Sequence, residues 1–361
     1  MFYYLLYPLR DVISGFNLFR YITFRSAWAA ITALGISLFV GPFIIRKLRE
    51  YQIGEEIRTD GPKTHLKKAG TPTMGGLIVL ASVVIPTLLW ARIGNIYVLL
   101  ILFATLWMGI VGFIDDYRKA VKKMPKGLIG RYKLAGQLTL GLIIGCILYF
   151  SEQFEGINTL STLPFFKDYE IDFGYLYIPM VVFVLTATSN SVNLTDGLDG
   201  LAIGLVGISA LTWAGIAYVS GRVDFSDYLN IIYLPGAAEL TVFCTALVGA
   251  SLGFLWYNSY PAKVFMGDTG SLALGSAIGT LAILLKKELL LLIIGGVFVA
   301  ETLSVIIQVT YYKYARKRIF RMAPIHHHFE LKGWEEPRVV VRFWIVAILL
   351  ALLSLSTFKI R

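Results

Sequence analysis

Five aspartates stand in three short polar stretches of the chain. Asp115 and Asp116 lie in GFIDDYRK, Asp196 and Asp199 in NSVNLTDGLDG with Asn190 and Asn193, and Asp268 in PAKVFMGDTGS. A fourth stretch, MAPIHHHFELKGW, carries His326, His327 and His328. Adjacent carboxylates such as Asp115 and Asp116 repel unless a cation shares them. Several carboxylates together with water and phosphate oxygens suit Mg²⁺, a hard octahedral ion that keeps waters and bridges phosphates. Zinc suits them less well, because three consecutive histidines do not readily turn to one tetrahedral ion and no cysteine is near in sequence. Lys68 beside GTPTMGG, with Lys123, Lys126 and Arg131, can neutralise phosphate oxygens. One aspartate alone reads as a helix cap or a solvated loop residue. Three loops that each carry one, two of them beside a glycine that lets backbone approach a ligand, point to a single site.

The elements that must position these residues are set by composition. The 361 residues are 57% hydrophobic and 16% charged, with a mean hydropathy of +0.69. A soluble domain runs at about 45–50% apolar and about 25% charged, and a bilayer crossing takes about 20 apolar residues, so the chain has material for on the order of ten crossings. Apolar runs fall at about 22–45, 73–91, 95–114, 134–150, 173–190, 201–220, 238–256, 270–285, 289–312 and 339–358. They are continuous, not alternating, which predicts an all-α polytopic integral membrane protein forming one domain over residues 1–361, not a barrel. Residues 1–20 lack a basic leading stretch and read as an interfacial segment or the start of the first span, not a secretory signal. Cys146 and Cys244 sit inside apolar runs and read as small core residues.

Charge orients the bundle. Alternate loops and their flanks, among them Arg58, Lys63, Lys67, Lys119, Lys122, Lys133, Lys263 and Lys317, hold 23 of the 33 basic residues, whereas 151–172 is acidic around Lys167, with Asp168 among its carboxylates. The positive-inside rule places the basic loops in the cytoplasm and both termini outside, with Lys286 and Lys287 as the local exception. By the parity of the spans, all five aspartates and the three histidines face the cytoplasm. The net charge of +10 is therefore read as membrane orientation and affinity for anionic lipid or phosphate, not for nucleic acid. Mixed carboxylates and cations at a membrane edge fit a site where a pyrophosphate meets a lipid phosphate.

The motifs GTPTMGG, GFIDDYRK, NSVNLTDGLDGLA, VFMGDTGSLALG and RMAPIHHHFELKGW resemble those of the phospho-N-acetylmuramoyl-pentapeptide transferase family, within the polyprenyl-phosphate N-acetylhexosamine-1-phosphate transferase superfamily. The likeness runs from about Phe16 to Arg361. It implies ten spans, a bacterial inner-membrane location with periplasmic termini and a cytoplasmic active site, Mg²⁺ as cofactor, and transfer of phospho-MurNAc-pentapeptide from UDP-MurNAc-pentapeptide to undecaprenyl phosphate. It also admits a homodimer. Position by position, Asp268 resembles the family's magnesium ligand, and Asp115 the residue that deprotonates or steers the lipid phosphate, with Asp116 as its partner. Lys68, Asn193, Asp196, Asp199, Asn258 and Phe265 fall on the nucleotide-sugar side, Phe265 as a ring to stack on uracil. His327 is placed against substrate phosphate, with Asn190, Gln308, His326 and His328 among the other substrate contacts.

Two other functions fit parts of the pattern. A sister transferase of UDP-N-acetylglucosamine would share the aspartate framework, and the segment from Arg321 to Trp334 separates it, since sugar and peptide must be read beyond the shared phosphate site. A secondary transporter would keep ionisable residues near the bilayer midplane. Glu301 and Gln308, seven apart on one helical face, are the residues that favour it.

Overall fold

The computed structural model describes residues 1–51, 68, 70–124, 127–166 and 169–359. Arg58, Lys63, Lys67, Lys126, Lys167, Asp168 and Arg361 lie outside them. Ten long helices carry the fold: α1 (Ile22–Glu50), α2 (Gly76–Trp90), α3 (Ile96–Ala120), α4 (Gly130–Phe150), α5 (Tyr177–Thr195), α6 (Leu201–Ser220), α7 (Leu240–Asn258), α8 (Gly267–Leu284), α9 (Gly296–Ala315) and α10 (Glu336–Ser356). Each coincides with one of the ten apolar runs. Seven of them are long and apolar enough to cross a membrane, and α2 is a shorter apolar helix.

The two that fall short, α8 and α9, do so for physical reasons. All residues of α8 from Thr269 to Leu284 are buried, enclosed by α2, α3, α5 and α6. Its interior is built from Gly270, Ser271, Gly275, Ser276, Gly279 and Thr280, small residues that let helices approach closely and that lower mean hydropathy. A Cβ on Gly76 of α2 would collide with the backbone of Gly270, and one on Gly112 of α3 with the carbonyl of Asp268. The first turn of α8 is thus pressed backbone to backbone between α2 and α3. In α9, Glu301 and Gln308 interrupt the apolar run.

The acidic segment before α5 departs from the all-helical expectation. It forms an antiparallel hairpin of β1 (Leu160–Thr162) and β2 (Glu170–Asp172), with Ser161 opposite Ile171. The hairpin covers Lys286 and Lys287, which the charge rule leaves as an exception. Both are buried together with Glu288. Lys286 donates to the Asn158 carbonyl (2.8 Å) and the Tyr177 hydroxyl (2.7 Å), while Glu288 accepts from Ser161 (2.6 Å) and Tyr177 (3.0 Å). These lysines are buried and hydrogen-bonded inside the protein, so they do not weigh on orientation. Burial pulls the pKa of each down to about 8.

At the same end, Arg25 of α1 makes a bidentate pair with Glu239 (2.6 and 2.7 Å) and also donates to the Trp90 carbonyl. Both side chains are buried, and Arg92 adds a contact to Glu239 at 3.4 Å. Removing one partner of a buried pair leaves an uncompensated charge. Arg25→Met is expected to destabilise the fold by about 3–5 kcal/mol. The check is a thermal unfolding midpoint in detergent, and adding Glu239→Gln should recover part of the loss.

Candidate active site

Asp115 and Asp116 occupy the last turns of α3, where successive side chains diverge by about 100° around the helix. The two carboxylates consequently have different surroundings. Asp116 turns to the start of α8, where it accepts from the backbone N–H of Asp268 (3.0 Å), the N–H of Thr269 (2.8 Å) and the Thr269 hydroxyl (2.6 Å). It acts as an N-cap supplied by a neighbouring helix, satisfying donors that α8 leaves open and placing negative charge at the positive end of its dipole. Of the aspartates, Asp116 is the one whose environment matches the helix-cap reading.

Asp115 turns the other way and is fully buried. One oxygen accepts from the Leu128 N–H at 2.7 Å, and the other meets the ammonium groups of Lys119 and Lys133, the latter at 3.0 Å. The same two ammonium groups reach Asp268 across the site, Lys119 at 3.0 Å and Lys133 at 2.5 Å. Asn193 of α5 donates to the second oxygen of Asp268 at 2.7 Å and to the Ser271 hydroxyl at 2.8 Å. Helices α3, α4, α5 and α8 therefore meet at one charged centre.

Oxygen atoms of Asp115, Asp116 and Asp268 lie within 4.8 Å of one another. Among the described residues no cysteine or histidine joins this group. An all-oxygen donor set of this kind suits a hard divalent cation. Two ammonium groups bridging Asp115 and Asp268 show that the pair requires positive charge between its carboxylates, and each carboxylate keeps lone pairs beyond its present partners. The residues fit a divalent metal.

The loops beside this centre are held by a second ionic cluster. Lys68 donates to Asp199 (2.7 Å) and to Glu336 (2.6 Å), and the other Asp199 oxygen accepts from the Ala262 N–H (2.9 Å). Burial works against the Lys68 charge, but Glu336 and Asp199 outweigh it and hold the pKa above the usual lysine value. Asn258 accepts from the Gly200 N–H (3.0 Å) and donates to the Val264 carbonyl (2.9 Å). Phe265 pairs its backbone with Pro72 and Gly75, both at 2.8 Å, so GTPTMGG and VFMGD run side by side into the charged centre. The ring of Phe265 is half-buried. Asp196 ends α5 in the turn that leads to Asp199, also half-buried.

Three placements differ from expectation. His326 is fully buried: it stands 3.1 Å from Glu301, without hydrogen-bond alignment, and its ring fills the space that a Cβ on Gly197 would need. That geometry places it between α9 and the Asp196–Asp199 turn, beside Glu301. Gln308 spends its amide on the backbone of Ile319 and Phe320, closing the loop after α9. Asn190 bonds Gln137 and the Thr186 carbonyl on the α4–α5 contact. Of the other histidines, His327 meets Glu330 at 2.7 Å, and His328 accepts from the Arg321 N–H at 3.0 Å. Partial burial and the cations of Lys332 and Arg321 lower the His328 pKa, which keeps its ring a neutral acceptor.

Sequence reasoning assigned Lys119 and Lys133 to orientation alone and passed over Glu336. For Lys119 a signal existed, since it follows Asp115 by four residues on one helical face. Lys133 and Glu336 reach the site through tertiary folding, with no such spacing. Conversely, Lys123 and Arg131, read as phosphate partners, are exposed, and the Arg131 guanidinium lies over the Tyr132 ring.

Residues 98–286 match the family described as Glycosyl transferase family 4, and residues 68–80 match Phospho-N-acetylmuramoyl-pentapeptide-transferase signature 1. The chain is 56% identical over 361 residues to the phospho-N-acetylmuramoyl-pentapeptide-transferase of Citrifermentans bemidjiense, and 54% identical over 362 residues to that of Thermodesulfovibrio yellowstonii. In both cases 100% of each chain is covered. Since this likeness runs from end to end, through every segment that builds the charged centre, the chain belongs to the phospho-N-acetylmuramoyl-pentapeptide-transferase family of bacterial integral membrane enzymes.

Proposed function

We infer that the protein transfers phospho-N-acetylmuramoyl-pentapeptide from UDP-MurNAc-pentapeptide to undecaprenyl phosphate, forming lipid I and releasing UMP for peptidoglycan synthesis. The observation that carries this reading is the meeting of Asp115 and Asp268 over two shared lysines, in a chain whose full-length relatives bear that name. In the reaction an oxygen of the lipid phosphate bonds to the phosphorus that carries the sugar, and the P–O bond to UMP breaks. Attack of one anion on another is opposed by charge, so stabilisation of the phosphate oxygens is the main task of the site.

Asp115 is the group to receive a proton from the lipid phosphate or to steer it, because it lies beside Lys119 and Lys133 in the last turns of α3. Lys119 and Lys133 exchange a carboxylate partner for substrate phosphate. The Lys119 side chain is 41% exposed, against 21% for Lys133, so Lys119 is the freer of the two to move. Asp116 and Asn193 fix the start of α8 and so aim Asp268. Mg²⁺ held by Asp268 would polarise the phosphate oxygens and stabilise the leaving UMP. Lys68, Asp199, Asn258 and Phe265, with Asp196 in the adjoining turn, form the nucleotide side, and His327 contacts substrate phosphate. A homodimer, admitted by the sequence, draws no support from the fold or from the relatives.

The direct test supplies purified protein in detergent with UDP-MurNAc-pentapeptide and undecaprenyl phosphate. Lipid I and UMP should appear in equal amounts and only with a divalent cation. UDP-N-acetylglucosamine in place of the first substrate should give no product, and a preference for it would make the sister transferase the correct reading.

Orientation is part of the proposal: the charged centre faces the cytoplasm and both termini the periplasm. In intact cells a membrane-impermeant thiol reagent should label Glu155→Cys and leave Lys122→Cys untouched. The reverse pattern would invert the topology.

A further inference from the structure

At the far end of α8 from Asp268, about 27 Å along an 18-residue helix, lies a cavity of about 650 Å³. The β-hairpin, residues 230–232, the loop after α8 and the residues that follow α10 line it, and it is open on one side. Apolar residues, among them Leu163, Phe165, Phe166, Ile231, Leu290 and Phe358, share its wall with polar groups that include Thr162, Asn230 and Thr357. Two groups of opposite charge share that lining, Lys287 and Glu170. Lys286 and Glu288, on either side of Lys287 in sequence, direct their charges into the protein, toward Asn158, Tyr177 and Ser161. Lys287 is the member of the trio that borders the cavity. Its ammonium has three protons to donate, and its hydrogen bond runs to the Thr162 hydroxyl at 2.9 Å. The lysine is 6% exposed, a depth at which a cation gains much from an anionic partner.

The surroundings identify the kind of molecule that could supply that partner. Phe150, Phe166, Tyr169, Tyr175 and Tyr228 are all exposed at this end of the bundle. Large aromatic side chains gather where a protein meets the head-group level of a bilayer. A cavity at that level with both apolar and polar walls, and with one cation and one anion among its described lining residues, matches a lipid whose head group carries both signs.

We propose that this cavity binds a phospholipid with a primary-ammonium head group, its phosphate paired with Lys287, its ammonium with Glu170 and its chains against the phenylalanine-rich wall. A phosphocholine head has no N–H to give Glu170, and a phosphoglycerol head has no cation, so each satisfies half of the site. This site is independent of the transferase reaction: it lies at the other end of α8 and uses none of the residues placed in the charged centre.

The test is native mass spectrometry of the purified full-length protein, delipidated and titrated with phosphatidylethanolamine, phosphatidylcholine and phosphatidylglycerol of identical acyl chains. Phosphatidylethanolamine should bind at least about tenfold more tightly than the other two, a difference of about 1.4 kcal/mol. Glu170→Gln should erase its advantage over phosphatidylglycerol. Lys287→Met should weaken it by about tenfold or more. Since Lys287 is buried and this variant could fail to fold, Leu163→Trp, which fills the cavity and leaves both charges in place, should produce the same loss. Equal binding of the three lipids by the unaltered protein, or undiminished phosphatidylethanolamine binding by Leu163→Trp, would overturn the proposal.

Discussion

Asp268→Asn should lower turnover by about 10³-fold, the upper end of the range found when one electrostatic stabiliser of a transition state is removed. The side chain keeps its shape and can still accept from Asn193, so folding is expected to survive. What disappears is a charge on which Lys119 and Lys133 converge and which a hard cation requires. Divalent-cation dependence should weaken or shift along with turnover. Calorimetric titration of the nucleotide-sugar with and without Mg²⁺ would show this as loss of the metal-dependent part of binding. If activity and Mg²⁺ response stayed at the unsubstituted level, Asp268 would be a first-turn helix residue and nothing more.

Asp115→Asn should separate from it. A positioning or base role contributes about 10²–10⁴-fold, so turnover should fall within that range while nucleotide-sugar affinity and its Mg²⁺ dependence persist. The amide still accepts from Leu128, which preserves the loop that follows α3. Single-turnover kinetics at saturating concentrations of both substrates locate the defect in the chemical step. Equal loss of metal-dependent binding in both variants would merge the two carboxylates into a single metal role.

Hydropathy located all ten helices because a continuous apolar run has few alternatives in lipid, and the aspartate motifs marked where the site would form. The sequence was less informative where partners come from distant elements. GFIDD gives no sign that Asp116 caps a helix begun 151 residues later at Gly267, since a cap supplied in trans leaves no local spacing. Nor does a run of three histidines show that His326 faces Glu301 in the interior while His328 serves the Arg321 backbone. Lys286 and Lys287 misled in the opposite direction: counted as loop charges, they are enclosed by a hairpin whose strands are three residues each. Loop length and hydropathy carry no information on burial of that kind.

The backbone contact of Gly76 with Gly270, and of Gly112 with Asp268, limits where this site can change. An additional carbon at either glycine must push helices apart, so these buried positions are closed to substitution as a means of reshaping the site. Variation that escapes a competitive ligand, or accepts an altered nucleotide-sugar, has to arise on the accessible rim, at side chains such as Lys119 and Phe265. In the proposed reaction those rim residues face substrate, so each such change is expected to carry a loss in turnover.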